Sequence, residues 1–190
     1  NKNDIIGIKG TSGSGKTTLV NLILGIIKHN KGTITINDKF DPDETNFEKL
    51  ISYTPQDLFL INGSIEENIA LGIEKNNIDK EKMKAAIKKS GLEDFVNKLP
   101  EKNKTKINSN ILNISGGQAQ RIAIARNFYY EKKINIFDEF TSALDDENED
   151  NILKHLKLSK NTIIIISHKN SSLKYCNKIY NMIDGKLLEV

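Results

Sequence analysis

A single cysteine, Cys176, stands in this 190-residue sequence. It excludes an internal disulfide and a cysteine-built zinc site, and it fits a reducing compartment. Long apolar runs are missing too. Ile163 to Ile166 is among the longest, far short of the roughly 18 residues of a membrane span. No secretory leader is visible at the start. Excess charge of one sign is scarce as well: 28 Lys and Arg face 25 Asp and Glu, giving a net +3, and both signs are spread along the chain. That describes a solvated surface rather than a nucleic-acid stripe, so no nucleic-acid partner is expected. What is present is a 37% hydrophobic content, enough for one globular domain with a core. The chain opens at Asn1, without Met, and enters the strand-like Ile5-Ile6-Gly7-Ile8 almost at once. It is therefore expected to be a piece of a longer polypeptide.

Apolar runs alternate with helical patterns, which predicts an α/β domain with a mostly parallel sheet. Strands are expected at 5–8, 33–36, 51–54, 134–137 and 162–167. Residues 178–183 and 186–189 flank Asp184-Gly185, a hairpin signal. A helix is expected over 16–27, with Leu19, Leu22, Ile23 and Ile26 on its apolar face. Others fit 64–70, 80–90, 92–99, 116–130 and 146–158. Ser64 with Glu67 three residues on is a capping-box pattern. The helices of the middle suggest a helical subdomain over about 57–113, inserted between sheet-forming stretches 1–56 and 114–190. Residues 102–113 read as a polar loop.

The segment Gly10-Thr11-Ser12-Gly13-Ser14-Gly15-Lys16-Thr17 matches the phosphate-binding loop pattern, between a strand and a helix. The spacing has a chemical reason. Glycines let backbone N–H groups turn toward an anion with no Cβ in the way. The helix that follows points its positive end at the same place. Lys16 reaches the β- and γ-phosphates, Thr18 lies in the same first turn, and the Thr17 hydroxyl is a Mg²⁺ ligand. A dinucleotide fingerprint fits less well, because Thr18 stands where a final glycine is needed.

Such loops work with a carboxylate at the end of a buried strand, which holds Mg²⁺. Ile134-Asn135-Ile136-Phe137-Asp138 supplies one. Glu139 follows directly and is a candidate to polarise an attacking water.

Ser115-Gly116-Gly117-Gln118, preceded by Ile114 and followed by Ala119-Gln120-Arg121, resembles the signature of ATP-binding cassette (ABC) ATPases. Gln56, after Tyr53-Thr54-Pro55, looks like that family's Q-loop glutamine. Ser142-Ala143-Leu144-Asp145 looks like its D-loop, and His168 like its switch histidine. Motifs in this order cover nearly the whole chain. The resemblance implies ATP and Mg²⁺ as ligands. Gln56 would meet Mg²⁺ and the attacking water, and His168 the γ-phosphate. It also implies a head-to-tail pair with a second ABC domain, identical or related. Ser115, Gly116, Gly117 and Gln118 would then touch nucleotide held by the partner. Phe59 to Ile69 is similar to exporter-type cassettes, which are fused behind a transmembrane domain. An ATPase at the cytoplasmic face of a membrane, the inner membrane in a bacterium, is the expectation.

Two departures stand out. The adenine-stacking aromatic of exporter cassettes would lie upstream of Asn1. Residues 107–112 lack the Gly-Glu-x-Gly-like segment, with Ser109 in place of Glu. Two other functions compete. Soluble ABC ATPases of DNA repair enclose a long coiled coil, but no sustained heptads lie between Lys16 and Ser115; ribosome-associated ones carry two cassettes in one chain. A regulatory module without turnover would often lack the carboxylate of Glu139.

Overall fold

The computed structural model describes residues 3–35, 49–107 and 114–190. Two compact units divide the chain. The first comprises Asn1–Tyr53, Lys132–Phe137 and Asn161–Val190, and the second Thr54–Glu131 and Asp138–Lys160.

The first unit is built on a sheet. Its strands are β1 (Ile5–Lys9), β2 (Ile51–Thr54), β5 (Ile134–Asp138), β6 (Thr162–Ile166), β7 (Lys178–Ile183) and β8 (Lys186–Glu189), in the order β2-β5-β6-β1-β7-β8. β1 pairs in parallel with β6 on one side and β7 on the other, while β8 returns antiparallel to β7. Strands covered on both faces need β-branched apolar side chains. The isoleucines of β6 supply them, with Ile163, Ile165 and Ile166 all buried. Ile8, Val20, Ile51, Ile136, Ile166 and Met182 form one core cluster. The Cys176 thiol is part-buried, which pushes its pKa up to about 11 and leaves it a poor nucleophile at neutral pH.

Helix α1 (Lys16–Ile23) is shorter than the pattern predicts. Gly25 turns into the left-handed region (φ 69°) and ends it. Helical spacing then no longer applies to Ile26, which is 65% exposed, and Val20, at 1%, takes the innermost position. Residues 33–35 form no strand, and Ile36 lies outside the described residues.

The second unit holds α2 (Ile65–Ile69), α3 (Lys80–Lys89), α4 (Glu93–Asn97), α5 (Gly116–Tyr130) and α6 (Asp146–Leu158). A short antiparallel ribbon, β3 (Gly63–Ser64) with β4 (Lys106–Ile107), falls partly where a loop is expected. The capping box forms: Ser64 N–H donates to Glu67 Oε2 (2.7 Å) and Glu67 N–H to Ser64 Oγ (3.2 Å). These bonds hold the Glu67 carboxyl below its usual range. α6 has acids in its first turn and His155 and Lys157 in its last, both matched to the helix dipole. α5 is buried on most of its surface and packs against α2 and α3. A last short helix, α7 (Asn170–Leu173), belongs to the first unit. Among the described residues no helix is long and apolar enough to cross a membrane.

The two isoleucines Ile65, fully buried, and Ile26 should separate in a urea-unfolding series. Ile65→Ala is expected to lose about 2–5 kcal/mol, and Ile26→Ala at most about 0.5 kcal/mol. Equal losses would contradict this placement.

Candidate functional site

Strand β1 delivers the loop of residues 10–15 to the start of α1. Gly13 (φ 78°) and Gly15 (φ 108°) take left-handed backbone, which a Cβ would oppose. Gly10 is needed for a different reason. A Cβ there would lie 2.5 Å from the Met182 carbonyl oxygen and 2.8 Å from Ser14 Oγ. Ser14 N–H donates to the Thr11 carbonyl (3.2 Å), closing a turn, and Gly185 N–H donates to the Ser14 carbonyl (3.1 Å). The hairpin turn between β7 and β8 thus braces the loop. The Lys16 ammonium donates to the carbonyls of Gly10 (2.5 Å) and Thr11 (2.9 Å). Thr11, Ser12, Gly13, Thr17 and Thr18 are exposed. No acid sits in the first turn of α1 to compete with an anion. Ser14 Oγ is buried with no hydrogen-bond partner among the described residues. His168 is in the same unit. Ile8 and Ile166 are paired across β1 and β6, so Gly10 and His168 leave neighbouring strands at equivalent positions. Its ring is exposed.

Gln56, Ser115 to Gln118, Asp138 and Glu139 belong to the second unit. Gln56 is exposed just beyond β2. Asp138 is the last residue of β5 and 7% exposed. Glu139 follows with a left-handed backbone, φ 48°. That conformation is uncommon for a residue with a Cβ and persists only where neighbours impose it. Ser115 caps α5: Gln118 N–H donates to Ser115 Oγ (3.2 Å) and Ser115 N–H to Gln118 Oε1 (3.0 Å). Gly117 is pressed on the segment after Glu139, where a Cβ would be 2.8 Å from the Ala143 carbonyl oxygen.

Several polar residues shape this region in ways the motifs do not show, among them Gln120 and Arg121 from the stretch that follows the signature. Gln120, buried in α5, binds the 139–143 segment. Asn127, also buried, pairs its amide with the Thr54 hydroxyl, two residues before Gln56. Arg121 donates to the Gly91 carbonyl (2.7 Å). Arg126, its pKa lowered by burial, donates to the carbonyls of Asn68 (3.0 Å) and Phe59 (3.3 Å). Asn68 in turn spans Ile61 and Ser64. A signal did exist: Gln120 and Asn127 share a helix face with Ile124, so that apolar face carries amides. The expected departure at 108–112 lies outside the described residues.

The ABC transporter family profile matches residues 1–142. This chain belongs to that family. Among relatives of the ABC domain, the leukotoxin export ATP-binding protein LtxB of Aggregatibacter actinomycetemcomitans is 40% identical over 190 residues, covering 98% of this chain and 27% of that protein. The lactococcin-A transport/processing ATP-binding protein LcnC of Lactococcus lactis is 36% identical over 190 residues, covering 99% and 26%. In three dimensions the ABC domain is similar to a bacterial Atm1-family ABC exporter with ATP bound, at a TM-score of 0.90 and 32% identity, over 98% of this chain and 33% of that one. The chain thus spans a third or less of the length of these relatives. The mixed α/β architecture with a mostly parallel sheet is the family's P-loop fold.

The two signature glycines should differ on substitution. Gly117→Ala meets a backbone oxygen at 2.8 Å, whereas the nearest atom to a Cβ at Gly116 is Ala143 Cβ at 3.5 Å, an ordinary contact. Gly117→Ala is expected to cost about 1–3 kcal/mol. Gly116→Ala should be neutral or stabilising, by up to about 1 kcal/mol. Thermal unfolding measures both.

Proposed function

We propose that this chain is the ATP-hydrolysing motor domain of a membrane exporter or flippase, with residues about 57–113 as its helical subdomain. The observation that carries the reading is the loop from Gly10 to Thr17. Its glycines hold left-handed backbone, its lysine already rests on loop carbonyls, and its buried Ser14 hydroxyl has no partner among the described residues. These features fit a triphosphate. Thr17, Gln56 and Asp138 each carry a hard oxygen of the kind Mg²⁺ takes, and one carboxylate with substrate phosphates commonly suffices. When bound, Mg²⁺ neutralises charge on the β- and γ-phosphates.

In this scheme Lys16 moves from its carbonyls to the β- and γ-phosphates. Glu139 orients a water and accepts its proton as the water oxygen attacks the γ-phosphorus. The bond to the bridging oxygen breaks, leaving ADP and phosphate. His168 and Gln56 contact the γ-phosphate and the water. Ser115, Gly116, Gly117 and Gln118 serve a nucleotide held by a second ABC domain, identical or related, docked head to tail. A transmembrane domain in the same polypeptide would couple this pairing to transport from the cytoplasmic face. The names of both relatives, one for export and one for transport, favour this over a soluble ATPase.

Lys16→Ala is expected to weaken ATP binding about 10- to 100-fold, since a charge-assisted contact is worth about 1.5–3 kcal/mol. Unchanged affinity in a fluorescent-nucleotide titration would sink the loop assignment.

Glu139→Gln should keep ATP and Mg²⁺ binding while hydrolysis slows about 10²–10⁴-fold, because an amide cannot take the proton. The variant should also dimerise more readily with ATP than the parent. Phosphate release and light scattering on the full-length protein read both effects. Hydrolysis at the parent's rate would remove Glu139 from the mechanism.

A further inference from the structure

One buried amide has no part in that scheme. Gln120 lies on α5 five residues after Ser115 and is 3% exposed. Its Nε2 donates to Ser142 Oγ (3.1 Å) and to the Glu139 carbonyl (3.4 Å), and its Oε1 accepts from Ala143 N–H (2.9 Å). Both faces of the amide are thus used, and all three partners lie on one short segment. The Glu139 carbonyl also accepts from Ser142 N–H (3.2 Å). Gly117, on the same helix, touches the same segment at Ala143. Glu139 keeps its left-handed backbone inside this frame. A conformation of that kind relaxes unless its surroundings over-determine it.

We propose that Gln120 is a positioning residue for ATP hydrolysis. Its amide fixes the backbone of residues 139–143 against the helix that starts at Ser115, and so sets the aim of the Glu139 carboxylate. The signature helix and the hydrolytic carboxylate of one chain become a single rigid body, and any shift of one is felt by the other. The inference rests on the reading of Glu139 as the group that activates water. It adds a residue that touches neither nucleotide nor metal.

Two variants separate positioning from mere core filling. Gln120→Leu fills similar volume and removes every hydrogen bond. Gln120→Glu keeps the shape and the acceptor for Ala143 N–H but, ionised, donates nothing to Glu139 or Ser142. Protonation of the introduced carboxyl restores one donor, and burial raises the pH at which that happens. The full-length protein carrying this domain is assayed for ATPase kinetics, and its backbone amides for hydrogen exchange. For Gln120→Leu, kcat should fall by about 10²-fold, the scale of an ångström-sized misplacement. KM for ATP should stay unchanged, because the phosphate loop is untouched. Exchange at residues 139–145 should quicken. For Gln120→Glu, the deficit in kcat at pH 8 should narrow as the pH falls toward about 6.

Parent-like kcat in Gln120→Leu overturns the proposal, as does unchanged exchange at 139–145. If Gln120→Leu does not fold, the pH profile of Gln120→Glu decides, and a deficit constant with pH overturns the proposal. A parent that binds ATP yet never hydrolyses it overturns the catalytic reading and this role with it. Quickened exchange in the variant then still reports the tether, so the two failures are told apart.

Discussion

Strand β1 is hydrogen-bonded along both edges, to β6 on one side and β7 on the other. A strand saturated in this way cannot slide or tilt without breaking a ladder, so the point at which the chain leaves it is fixed. That point is Gly10. The phosphate loop, the start of α1 and the loop carrying His168 all inherit their positions from this one strand and its partner β6. Isoleucine is well suited to the task, since β-branched side chains lose little on entering a pleated, covered surface.

The strands were legible because they are short, β-branched and bounded by turn residues. β1, β2, β5, β6 and the hairpin at Asp184-Gly185 fall where period and punctuation put them. So do α5 and α6, which the structure caps with Ser115 and Asp145. The apolar stripe assigned to α1 ran too far, because a left-handed glycine at 25 ends the helix whatever the spacing beyond it says. β3, β4 and α7 were illegible for another reason. Segments of two to four residues carry no period, and their existence depends on neighbours from elsewhere in the chain. The family was readable from the motifs, and the family match bears it out; the roles of the motif residues remain the proposal made above. What the sequence did not show is that Gln120 and Asn127 are buried and hold neighbouring segments in place.

Those supporting residues share a logic. α5 is apolar enough to be buried, yet it carries Gln120, Arg121, Arg126 and Asn127. Each side chain meets backbone or hydroxyl groups of a different segment: 139–143, Gly91, Phe59 with Asn68, and Thr54. Loops cannot enter a protein interior unless their backbone groups are satisfied. A helix studded with amides and guanidinium groups can satisfy them from its side chains. The second unit can therefore be rich in irregular backbone without leaving much of it unpaired.

The bond from Gly185 to the carbonyl of Ser14 joins the first loop of the described chain to its last turn. On the ribosome the Ser14 turn is made long before Gly185. Until β6, β7 and β8 have emerged, the loop has neither the ladders that fix β1 nor its brace. Contacts so distant in sequence form late, after the entropy of closing the intervening chain has been met. A nascent or C-terminally clipped domain would carry the whole glycine motif and yet lack the turn that braces it. The order of one early, highly polar loop in this architecture is thus tied to a hairpin that is made much later.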